Sequence, residues 1–246
     1  YITRKEGRTM KKVLFLVVLL VLAGATGCKG NQTETLIDRV DLAIDQFVQN
    51  YANQYVKETE TGLILEYHVV AALKALEKSG FGVTLENYLT ANRVEADLQN
   101  RPLNLGTEAF SALVIARSFD LACPKAEQFL AELTTFDAWN QSYLLMALNY
   151  TGSNNYLKQA ILNDILNVEG KDADYAGAAL MALSHQETDK TPLIDLIKEN
   201  LTSEGVLSWG TANSCTTAYA ILGLVANNID PTSEEFTSLV GSILLA

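Results

Sequence analysis

Gly205-Val-Leu-Ser-Trp209-Gly-Thr-Ala-Asn-Ser214-Cys-Thr-Thr217-Ala-Tyr219-Ala-Ile-Leu-Gly-Leu224 joins three kinds of sequence in twenty residues. A Gly-containing loop carries a Trp. A Ser/Thr-rich entry follows, then an Ala/Leu helix, which closes at Asn228-Ile229-Asp230-Pro231. Ala and Leu favour helix, and Pro cannot continue one. The helix is almost uncharged over three turns, so the reading buries it on all sides.

Four earlier stretches have the same character. They are Ala72-Leu-Lys-Ala-Leu76, Ala112-Leu-Val-Ile-Ala116, Leu144-Leu-Met-Ala-Leu148 and Ala179-Leu-Met-Ala-Leu183. With the one starting at Ala220, they begin 40, 32, 35 and 41 residues apart. Between them lie amphipathic segments, at about 85–98, 124–133, 155–168 and 192–201, and another begins near Ser233. A leading helix covers about Thr35–Tyr51, with Leu36, Val40, Leu42, Ile44, Phe47 and Val48 on its apolar side. A period in the high thirties with two helices per unit is an α/α repeat. The buried helices form an inner layer. The amphipathic ones, which carry Glu, Asp and Lys on one face, form an outer layer.

The Gly205–Pro231 segment resembles the prenyltransferase and squalene-cyclase repeat. It is most similar to the form found in bacterial cell-surface proteins with transcobalamin-like domains. Lys171-Asp172-Ala-Asp174-Tyr175 ahead of Ala178–Leu183 is similar to the preceding repeat of that group. The resemblance implies an all-α fold, an α/α toroid of the terpenoid cyclase and protein prenyltransferase superfamily spanning residues 34–246. Such a ring has six inner and six outer helices. One leading helix and five pairs make eleven, so the expectation is a toroid lacking its last helix.

The N-terminus reads separately. Met10-Lys11-Lys12 precedes an 11-residue apolar run, Val13–Ala23. As a helix that run is about 16 Å long, too short to span a bilayer. With small residues after it, it forms a secretory signal over residues 10–27. Ala25-Thr26-Gly27-Cys28 resembles the lipobox of bacterial lipoproteins, with Ala25 where Leu is usual. That resemblance implies lipidation of Cys28, a tether over 28–33, and anchoring on the extracytoplasmic face of the cell membrane. The plainer reading is a secretory signal with an incidental Cys28. Residues 1–9 read as translated upstream sequence.

The chemistry these families use is not matched. Squalene-type cyclases need adjacent acidic residues, and Tyr175 breaks the pair after Asp174. Asp172 and Asp174 equally suit helix capping. Zinc needs convergent thiolate, imidazole or carboxylate ligands. Cys123, Cys215, His68 and His185 show no C-x-x-C or H-x-x-x-H spacing. Cys123-Pro-Lys-Ala-Glu127-Gln128 has the wrong spacing for a thioester of the macroglobulin type. No metal and no cofactor is expected. With 18 Lys+Arg against 29 Asp+Glu, a net charge of −11 argues against a nucleic-acid partner.

Toroids carry ligands near one end of the inner helices. The residues placed there are Tyr67, His68, Glu108, Trp139, Asn140 and Tyr143, then Asp172, Asp174, Tyr175, Trp209, Asn213 and Ser214. Aromatic and amide groups at a concave mouth suit a neutral polar ligand or a glycan. Trp139 and Trp209 equally suit wedges between repeats. The expectation is a non-enzymatic, surface-anchored lipoprotein that binds a small molecule, a glycan or a surface protein. A corrinoid-type ligand enters by analogy with the transcobalamin-like group. The alternatives are an extracytoplasmic carbohydrate-active enzyme and a pure interaction scaffold.

Overall fold

The computed structural model describes residues 36–60 and 62–243. The leader, the tether and Cys28 lie outside the described residues. The described chain is mostly helical and carries two small antiparallel sheets. The described residues divide into two compact units, one within Ala52–Asn167 and the other made of residues 36–51 with 168–243.

In the unit Ala52–Asn167 a helical turn, Asn53–Tyr55, leads into the hairpin β1 (Val56–Thr59) and β2 (Gly62–Leu65), paired Val56 to Leu65 and Thr59 to Gly62. Six helices follow, preceded in chain order by α1 (Leu36–Gln46) of the other unit. They are α2 (Tyr67–Ser79), α3 (Ala91–Asn100), α4 (Gly106–Ser118), α5 (Pro124–Glu132), α6 (Gln141–Tyr150) and α7 (Leu157–Asp164). Helix α4 packs against both α2 and α6. Helices α3 and α5 pack on α4, and α7 packs on α6.

The other unit holds α1 and then α8 (Ala173–Ala182), α9 (Thr191–Glu199), α10 (Ser214–Ala226) and α11 (Thr237–Ile243). Between α9 and α10 runs a sheet of β3 (Leu201–Thr202), β4 (Gly205–Ser208) and β5 (Thr211–Ala212), in that order. Helix α8 packs against α10 and α9, and α11 packs on α10 and β4.

Burial separates two helix classes. In α4 an unbroken run from Ala112 to Ala116 is buried, and in α6 one from Leu144 to Leu148. In α8 every residue from Tyr175 to Leu180 is buried. The helices between bury one i,i+4 pair each: Val94 and Leu98 in α3, Ala126 and Leu130 in α5, Leu157 and Ile161 in α7, Leu193 and Ile197 in α9. One stripe inward and the rest toward solvent is what charged, amphipathic sequences allow.

The sheets depart from the all-α expectation. Their strands are two to four residues long, too short for alternation to register in the sequence. Two helix bounds also differ. The segment expected to run 85–98 breaks into a 3₁₀ turn, Leu85–Asn87, and a helix restarting at Ala91. Helix α9 ends at Glu199, and Leu201 enters β3 instead.

Helices α8 and α10 meet at two glycines. A Cβ at Gly177 would lie 2.5 Å from the Tyr219 carbonyl carbon, and one at Gly223 would lie 2.6 Å from the Gly177 carbonyl oxygen. Both obstacles are backbone, which cannot swing aside. Gly177→Ala and Gly223→Ala should each destabilise the fold by about 1–3 kcal/mol, despite the better helix propensity of Ala. The double variant should cost less than the sum, because one separation of the helices admits both methyl groups. Urea denaturation of the three variants measures this.

Candidate functional site

The N-termini of α8 and α10 carry a connected polar cluster. Asn213 caps α10, its Oδ1 accepting from the Cys215 and Thr216 N–H groups at 2.9 and 3.1 Å. Asp172 caps α8, its Oδ1 accepting from the Tyr175 N–H at 3.4 Å. Its other oxygen accepts from the Ser208 hydroxyl at 3.1 Å. The Thr216 hydroxyl donates to Asp174 Oδ1 at 3.1 Å. The pairs Asp172–Ser208 and Asp174–Thr216 thus tie the start of α8 to β4 and α10.

Partial burial raises the pKa of Asp174. The hydrogen bond from Thr216 opposes that rise and the Asp172 charge adds to it. The Cys215 thiol is raised by burial and by the Asp174 charge. Lys171 holds its ammonium 4.8 Å from the centre of the Tyr175 ring. Tyr175 itself is buried in the core.

Beside this cluster, β4 and β5 pair Leu207 with Ala212 and Ser208 with Thr211, leaving Trp209-Gly210 as a two-residue turn. Both turn residues have positive φ, +50° and +82°, as a type I′ hairpin requires. Gly adopts that conformation freely. A non-glycine residue there pays about 1–2 kcal/mol of steric strain. The strained Trp209 is 74% exposed.

The hairpin base is fixed to α10. The Val206 N–H donates to Thr217 Oγ1 at 2.9 Å, and that hydroxyl donates to the Asn213 carbonyl at 2.8 Å. Gly205, at φ +122°, leaves room for this hydroxyl, since a Cβ there would sit 2.7 Å from it. Of the residues expected at this end, Asp172, Asp174, Trp209, Asn213 and Ser214 lie on these neighbouring elements. Ser208, Thr216 and Thr217 complete the cluster. The Ser/Thr-rich helix entry was its signal, but a hydroxyl's partner cannot be read from the linear order.

In the unit Ala52–Asn167, Tyr67 and His68 stack with ring centres 3.7 Å apart. Phe110 on α4 meets Tyr67 at 5.5 Å, Tyr143 at 5.8 Å and Tyr150 at 6.0 Å. Phe110 therefore centres an aromatic row that takes in three of the expected residues. Phe110 stands two residues ahead of the Ala112–Ala116 run, and nothing local marks it as the centre of such a row. Glu108 turns back on its own helix, its carboxylate accepting from the Asn104 and Leu105 N–H groups. Trp139 is about half exposed, in a turn whose Asp137 accepts from the Trp139 N–H at 3.0 Å and the Asn140 side chain at 2.6 Å. Asn140 borders a cavity of about 270 Å³.

Among the described residues, no group of three or more His, Cys, Asp or Glu converges as metal ligands, and no helix is long and apolar enough to cross a membrane. No family model, curated protein or solved structure matches this chain.

Burial pushes the His68 pKa down to about 4 from an ordinary 6.5. The imidazole is neutral in both folded and unfolded chains above that ordinary value. Below it the unfolded chain takes up the proton first, so stability falls as pH drops from 6.5 toward 4. The loss should reach about 2–3 kcal/mol by pH 4.5. Urea denaturation at pH 7.5 and 4.5 should show that His68→Gln loses that much less stability between the two than the natural chain does.

Proposed function

We propose that the chain is a non-enzymatic binding module displayed at a bacterial cell surface, and that it takes a glycan on the Trp209 hairpin. Trp209 carries the reading. A strained, exposed indole at a hairpin tip lowers stability, and an observed strain of this kind points to function. An indole face covers the apolar face of a sugar ring, while nearby carboxylates and amides accept from its hydroxyls. Asp174, whose Oδ1 accepts from Thr216, offers its other carboxylate oxygen as such an acceptor.

The architecture behind this reading is an α/α toroid of the prenyltransferase-like kind. The alternation of helices with unbroken buried runs and single-striped helices in both units supports it. Export and anchoring rest on the leader sequence, with Cys28 carrying the lipid. Cys28→Ser should abolish metabolic labelling with an alkyne fatty acid and release the chain from the membrane fraction. Retained labelling would refute the anchor.

A carbohydrate-active enzyme on the same scaffold is favoured by one observation, the raised pKa of Asp174, since general acids need such a shift. Against it, Asp172 and Glu108 are engaged as helix caps. Turnover of an oligosaccharide that Asp174→Asn abolishes would establish the enzyme instead.

The binding reading makes a paired prediction about one residue. Asn-Gly is the preferred type I′ pair, so Trp209→Asn should stabilise the fold by about 1 kcal/mol. The same change should weaken binding to a responsive oligosaccharide at least about tenfold, an ordinary loss for an aromatic anchor. Denaturant melts and calorimetric titration across an oligosaccharide panel measure the two effects. Undiminished binding by the variant would refute the site. A panel to which the natural chain does not respond would favour a protein-interaction scaffold.

A further inference from the structure

The geometry points to a second, separate ligand site in the unit Ala52–Asn167: a cavity that takes a small organic ammonium ion with an apolar body. The cavity of about 270 Å³ lies between the starts of α4 and α6 and the loop following α5. Leu105, Leu133, Phe136 and Leu144 give it apolar walls, and Asp137 and Asn140 give it a polar side.

Three sets of hydrogen bonds hold the walls. Glu108 accepts from the Leu105 N–H at 3.1 Å and fixes the α4 side. Asp137 gathers the Trp139 N–H and the Asn140 amide and fixes the α6 side. The loop is stapled from behind. The Asn155 side chain donates to the Leu130 and Leu133 carbonyls at 2.7 and 3.0 Å, and the Tyr156 hydroxyl donates to the Thr134 carbonyl at 2.7 Å. A site already held in shape loses little entropy when it is filled.

Charge selects the occupant. No Lys, Arg or His lines the cavity, and no basic side chain pairs with Asp137 among the described residues. Both Asp137 oxygens accept from neutral donors within their own turn, which orients the exposed carboxylate without pairing it to a cation. A cation supplies the missing charge, and the Phe136 ring adds a cation–π surface. An anion would meet the carboxylate with nothing to offset the repulsion. The net charge of −11 further favours the approach of cations.

The test uses 2-phenylethylamine, 2-phenylethanol and phenylacetate, which share one apolar body and differ in charge. They are titrated against the natural chain, Asp137→Asn and Thr135→Trp, with amide shifts of Asn140 and Leu144 as the readout. Asp137→Asn keeps an acceptor for the turn, and Thr135→Trp fills the cavity from its exposed rim. The amine should bind, with the alcohol at least about tenfold weaker and the carboxylate weaker still, as for a lost charged hydrogen bond. Each variant, melting as the natural chain does, should lose at least about tenfold in amine affinity. Equal affinity for amine and alcohol, unchanged affinity in either variant, or no shift of these amides with the amine would overturn the proposal.

Discussion

The approach of α8 to α10 at Gly177 and Gly223 is the constraint on which the proposed surface rests. With no side chain at either position, the two backbones close to a distance that a methyl group would violate. That closeness brings the first turns of both helices side by side. Only then can Asp172 reach Ser208 and Asp174 reach Thr216. The polar cluster is thus a consequence of two missing Cβ atoms several residues away. In the other unit Gly106 has a related role, since a Cβ there would lie 2.9 Å from the Leu144 Cβ.

Much of the helical framework was legible because its signals are local. The runs at 72, 112, 144, 179 and 220 all begin within α2, α4, α6, α8 and α10, and only Leu183 lies past its helix end. A run dominated by Ala and Leu favours a helix with a buried face. The sequence predicts a leading helix over 35–51, and the described chain has α1 there, running on into a π-helical stretch, Phe47–Ala52. What escaped the sequence depends on partners far along the chain. Ser208 lies 36 residues from Asp172, and Thr216 lies 42 from Asp174. Asn155 read as the start of a helix, yet its amide staples the loop after α5. The hairpin at Trp209-Gly210 shows in the sequence only as a Gly-containing loop, because a bulky residue at positive φ runs against local preference.

The same capping chemistry serves the sites in different ways. Glu108 and Asn213 direct their oxygens to the backbone N–H groups of their own helix starts, and so hold those starts in place. Asp172 does this with one oxygen and reaches the hairpin with the other. A cap that also grips a neighbouring strand turns a local stabilising device into a positioning one. Ser208 immediately precedes Trp209, so the Asp172 bond bears on the orientation of the turn that displays the indole.

This coupling explains how strain can persist at an exposed position. A free hairpin with Trp at the first turn position would relax by fraying or by changing turn type. Here the strand before the turn is fixed at two successive points. Thr217 takes the Val206 N–H, and Asp172 takes the Ser208 hydroxyl. The strand after it leads into Asn213, whose N–H returns to the Val206 carbonyl and whose side chain caps α10. Relaxing Trp209 would therefore require breaking a cap or a buried hydrogen bond. Losing a buried one costs about 1–3 kcal/mol, at least comparable to the strain itself. The strained turn is the lower-energy choice as long as the cluster beneath it is intact, which makes the cluster part of the display and not merely its neighbour.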